Sequence, residues 1–133
     1  MRSSASAGSW KLTVRSGARV ERRRYDQLER ALGVAEVRGT QLAREVPRRT
    51  VDLKFKRIEP RQQVAARIEL AGPERVVPSV RAGVDVRGDG SSEAYVGRLR
   101  RQLIDPLRGE TSWAALRRVL MSRADSTSRL PGR

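Results

Sequence analysis

Asp85, Asp89 and Glu93 recur at four-residue intervals, a set of carboxylates from which a cation site could be built. A calcium loop needs its acidic ligands at alternate positions, and Arg87 stands inside this set. A plain β-turn over Gly88, Asp89 and Gly90 requires the same residue types, so the turn is the stronger reading and no metal is expected. Arg87-Gly88-Asp89 also spells the integrin-recognition tripeptide, a coincidence in a chain that reads as cytoplasmic. The chain has neither histidine nor cysteine, which removes the commonest general base, the commonest metal ligand and the commonest thiol nucleophile. The glycine-rich sequences that cradle phosphates are missing too, so neither a nucleotide cofactor nor catalysis is expected.

What remains is charge. The chain carries 29 basic residues against 15 acidic ones, a formal net charge of +14 over 133 residues. GC-rich coding can exchange lysine for arginine, but it does not produce a basic excess of nearly two to one. A polyanion is therefore the default partner. The excess is +3 over residues 1–18, +4 over 47–71 and +4 over 111–133, with 0 over 72–90. If a helix covers one face of a sheet, strand alternation puts Lys11, Arg15, Lys54, Lys56, Arg67, Arg81, Arg87, Arg98 and Arg100 on the other. Of these, Lys11, Arg15, Lys54, Lys56, Arg67, Arg98 and Arg100 are the candidate nucleic-acid-binding residues. No aromatic accompanies them, so the contacts expected are to phosphate and shape rather than to stacked bases. A solvated face partly neutralised by Asp52, Glu69 and Asp85 accounts for the same residues equally well. The expected partner is a nucleic acid or the ribosome, and the alternative is an acidic protein.

The elements that must position these residues follow from hydrophobic period. Trp10, Leu12 and Val14 alternate with polar residues as a strand, Ser16-Gly17 turns, and residues 19–25 return as a second strand. Tyr25, Leu28, Leu32, Ala35, Gly39, Leu42 and Val46 recur at three and four, which predicts one long helix ending near Pro47. Period two resumes over 51–58 and 64–70, predicting a hairpin with Phe55 and Ile68 buried, and again over 80–86. Residues 93–104 read as one further strand, with Tyr95, Gly97, Leu99 and Leu103 inward, although a helix fits Tyr95, Leu99 and Leu103 as well. Thr111 or Ser112 caps a short closing helix with Trp113, Leu116 and Leu120 on one face. The fold class is α+β: a single small domain with an antiparallel sheet of five or six strands, one long helix on one face, and a short C-terminal helix.

The domain is expected over residues 9–122, flanked by disordered tails at 1–8 and 123–133. No apolar run approaches the roughly 20 residues of a membrane span, so no membrane is expected. The absence of cysteine suits a reducing, cytoplasmic setting. The stretches 9–15, 24–32, 59–98 and 112–120 resemble a group of short, uncharacterised proteins of high-GC actinobacteria with no known function. That resemblance implies a single intact bacterial domain and no particular chemistry. The element order is also similar to that of the ribosome hibernation-factor fold, without that family's specific motifs.

Overall fold

The computed structural model of the chain describes residues 9–51, 64–72, 80–97 and 100–129. Six strands form one antiparallel sheet: β1 (Trp10–Ser16), β2 (Arg19–Tyr25), β3 (Val64–Gly72), β4 (Val80–Arg87), β5 (Ser92–Val96) and β6 (Gln102–Leu103). Their order across the sheet is β2-β1-β3-β4-β5-β6, so β2 and β6 are its edges. Two helices, α1 (Leu28–Val51) and α2 (Ser112–Arg129), cover one face, α1 over β1 to β4 and α2 over β4 and β5.

Alternation explains the core. Leu12 and Val14, Ile68 and Leu70, Ala82, Val84 and Val86, and Ala94 and Val96 stand in register on the helix-covered face and are buried. Against them α1 sets Ala31, Leu32, Ala35, Leu42 and Val46, and α2 sets Ala115, Leu116 and Leu120. The first bond of α1 runs from the Ala31 N–H to the Gln27 carbonyl, so Gln27 is its cap. Thr111 caps α2: its carbonyl accepts from Ala115 and its hydroxyl from Ala114. The helices meet where Gly39 lies against the Trp113 ring, since a Cβ there would overlap the indole. The glycine that weakens α1 by propensity is the one that lets α2 approach.

The structure departs from the sequence expectations in four places. Residue 51 ends α1, which runs through Pro47, and residues 52–63, with Lys54, Phe55 and Lys56, lie outside the described residues. The expected hairpin of 51–58 with 64–70 does not fit the sheet, because β1 and β4 occupy both edges of β3. Residues 93–104 form two short strands rather than one; Gly97, at φ +134°, breaks the extended run between them. The register with β4 also inverts the expected parity: Ala94 and Val96 pair with the core residues Val84 and Ala82 and face the helices, Tyr95 lies on the opposite face, and Leu103 is exposed. Finally, α2 continues past residue 122 to Arg129, since no Pro or Gly interrupts it before Pro131.

Candidate functional site

The sheet face away from the helices divides into two electrostatically different halves. Over β3 to β5, register sets Arg67 beside Asp85 and Glu93, and Glu69 beside Gly83 and Tyr95. Arg67 Nε donates to Asp85 Oδ1 at 2.6 Å, Arg101 Nη1 donates to Asp85 Oδ2 at 3.1 Å, and Arg87 Nη2 donates to Glu93 Oε1 at 2.6 Å. Arg81 lies 4.0 Å from Glu69, which also accepts from the Tyr95 hydroxyl at 3.3 Å. Four arginines thus share three carboxylates. Asp85 itself is only 5% exposed, so its charge is sheltered between its two partners.

Tyr95 is the centre of this half. Its ring packs over Gly83, where a Cβ would strike both the Ile68 carbonyl and the Tyr95 hydroxyl. The Arg101 guanidinium covers the other side, 4.5 Å from the ring centroid. Burial pushes the Tyr95 phenol well above its ordinary value, reinforced by the Glu69 and Asp85 charges and opposed by Arg67 and Arg101. The Arg67 guanidinium is held charged chiefly by its hydrogen bond to Asp85.

The β1–β2 half has no such neutralisation. On the open face Lys11 pairs across the ladder with Arg24, Thr13 with Arg22, and Arg15 with Val20. Arg19 and Arg23 leave the same hairpin on its other side, because alternate residues of β2 point to opposite faces. These two strands hold six cations and one carboxylate, Glu21, and α1 already engages that one through Arg38 Nη2 at 2.9 Å. Among the described residues no ion pair takes Lys11, Arg15, Arg19, Arg22, Arg23 or Arg24; Arg24 donates only to the Ser9 hydroxyl, at 3.2 Å. Thr13 stands between the open-face cations with a hydroxyl that has no side-chain hydrogen bond among the described residues. Like charges as close as Lys11 and Arg24 destabilise a ladder. Their arrangement is what an anion would stabilise.

Of the residues singled out from the sequence, Lys11 and Arg15 lie in this half. Arg67 lies on the same face but is spent on Asp85. Arg100 is exposed beyond β5, about 15 Å or three strand spacings from β1, so it does not join them. Lys54, Lys56 and Arg98 lie outside the described residues. Sequence reasoning missed Arg19, Arg22, Arg23 and Arg24. The signal was present in RVERRRY, four basic residues in seven, but it was hidden when residues 19–46 were averaged with the acidic residues of α1.

Between β2 and α1 runs a groove of about 350 Å³ lined by Leu12, Val14, Glu21, Arg23, Val34 and Arg38. The three turn-region carboxylates do not converge: Asp85 binds Arg67 and Arg101, Glu93 binds Arg87, and Asp89 accepts from Ser91. Among the described residues no group of three His, Cys, Asp or Glu is placed to hold a metal ion, and no helix is long and apolar enough to cross a membrane. No family model matches the chain, and no curated protein or solved structure matches it.

Proposed function

We propose that this chain is a non-enzymatic, cytoplasmic nucleic-acid-binding protein that grips phosphates with the open face of its β1–β2 hairpin. The observation that carries this reading is the contrast between the two halves of one sheet face. The arginines of β3 and β4 are matched to carboxylates, whereas Lys11, Arg15, Arg22 and Arg24 meet none among the described residues. Lys11 and Arg15 are about 13 Å apart along β1, and Arg22 and Arg24 about 7 Å along β2, so the four can meet several phosphates at once.

Among the described residues no aromatic ring is free to stack on a base. Trp10 is buried, Tyr25 turns with it toward the helix-covered face, and Tyr95 is enclosed by Arg101. Recognition therefore falls on backbone charge and shape, and duplexes or folded RNA, ribosomal RNA included, suit the surface as well as single strands do.

Fluorescence anisotropy with a mixed-sequence duplex and a folded RNA, at several salt concentrations, tests this. With about four phosphates neutralised, log affinity falls against log salt with a slope near −0.9 per contact on duplex DNA. Changing Lys11, Arg15, Arg22 and Arg24 to Gln abolishes most of the binding and flattens the slope for every sequence alike, while Arg81→Gln changes little. Absence of binding at low salt overturns the proposal.

A further inference from the structure

Among the described residues no strand pairs with the outer edge of β2. The Ser16 and Arg19 pair closes a two-residue turn at Gly17 and Ala18, so those two residues exchange both main-chain hydrogen bonds. Bonding then alternates along the hairpin: Glu21, Arg23 and Tyr25 bond inward to β1, while Val20, Arg22 and Arg24 direct their N–H and C=O groups away from the sheet. The register of β1 with β2 runs through seven pairs without a bulge, and six of the seven β2 residues are exposed. A bulge-free edge with three sets of main-chain groups that no described residue pairs is a template for another strand.

The side chains decide which strand. A second copy pairing antiparallel through β2 sets arginine against arginine in each register, Arg22 on Arg22, Arg22 on Arg24 or Arg19 on Arg23, and like charges across a ladder repel. Those arginines therefore block self-association and select the opposite charge. Glu21, the one acid of the strand, is paired with Arg38 at 2.9 Å on the helix side, the face opposite to Arg22 and Arg24. On the open face, alternate side chains of an added strand lie beside Arg22 and Arg24. On the helix side they lie beside Arg19 and Arg23, next to the groove floored by Leu12, Val14 and Val34.

We infer that the β2 edge is a docking site for an extended acidic polypeptide segment, added as a seventh strand, with carboxylates at alternate positions. Main-chain bonds to Val20, Arg22 and Arg24 hold it in place, and the arginines set its charge. This inference rests on the edge rather than on the phosphate-binding face, so it stands or falls independently of the nucleic-acid reading. The two share Arg22 and Arg24, so a docked acidic strand and a bound phosphate backbone compete.

The probe is a synthetic peptide of roughly nine residues, a long strand's length, in which Glu alternates with Thr. Its binding to the full chain is followed by anisotropy and by amide exchange of the isotope-labelled protein. The expected result is binding that protects the amides of Val20, Arg22 and Arg24. Val20→Pro removes one outward N–H without changing any charge, and it weakens the peptide about tenfold while leaving duplex binding unaltered. A peptide methylated on the backbone nitrogens of alternate residues gives the same loss with the wild-type chain, which covers the case in which Val20→Pro fails to fold. Peptide binding indifferent to both changes, or without amide protection at β2, overturns the inference and leaves charge attraction alone.

Discussion

The Arg101 guanidinium lies 4.5 Å from the centre of the Tyr95 ring while donating to Asp85 at 3.1 Å, so one side chain from beyond β5 closes both a cation–π contact and an ion pair. That relationship explains why the sheet face is divided. A ring laid over Gly83 needs a cover, the cover is cationic, and the cation needs Asp85. Arg67 completes the triad from β3. The strands beyond, β1 and β2, carry no equivalent carboxylate, and among the described residues no ion pair takes their cations.

Asp85→Asn leaves Arg67 and Arg101 facing each other across a sheltered site. Breaking a fully buried pair costs about 3 to 5 kcal/mol, but both arginines are partly exposed, so a loss of about 1 to 2 kcal/mol is expected. Urea denaturation, read as a lower midpoint at unchanged slope, measures it. The same variant frees Arg67, which register sets beside Arg15 at the border of the basic hairpin, and strengthens duplex binding at low salt. A gain in stability would show that the triad does not hold the face together.

Tyr95 makes the chain sensitive to alkali. Its phenol is raised in the folded state, mainly by burial, so the stability it contributes is fully present below the ordinary phenol value of about 10 and is lost as pH rises above that toward the folded value. A denaturation series across this range therefore shows a falling limb, and Tyr95→Phe flattens it. Tyrosinate absorbance should show Tyr95 ionising together with unfolding. Ionisation of both tyrosines in the folded chain, well before unfolding, would contradict the enclosure of the ring.

Two glycines of α1 separate propensity from packing. At Gly33 an added Cβ meets nothing within 4 Å, so Gly33→Ala gains stability, by about 0.5 to 1 kcal/mol. Gly39→Ala carries the same helical gain, but its methyl overlaps the Trp113 ring, and overpacking costs about 1 to 3 kcal/mol. A net loss at Gly39, with shifted Trp fluorescence, is expected beside the gain at Gly33. Equal gains at both would remove the close approach of α1 and α2.

The amino-acid pattern by itself determined a good deal here. Alternation over residues 10–14, 64–70 and 80–86 specifies strands and which of their residues share a face, because side-chain direction in a strand follows from local geometry. The three-four spacing from Leu28 to Val46 specifies α1 and its buried face in the same way. The basic excess, and the lack of histidine and cysteine, are matters of composition. Strand neighbours are a different kind of fact. That β3 lies between β1 and β4, that β2 is an edge, and that Arg67 meets Asp85 all depend on long-range pairing, whose register no local window contains. Tyr95 shows the limit most clearly. Gly97 breaks the strand that would have continued its alternation, and only the folded sheet places its ring over Gly83 and under Arg101. The candidate site was legible as a charge excess and located only by tertiary structure, because a cation is available or spent according to which carboxylate the fold brings beside it.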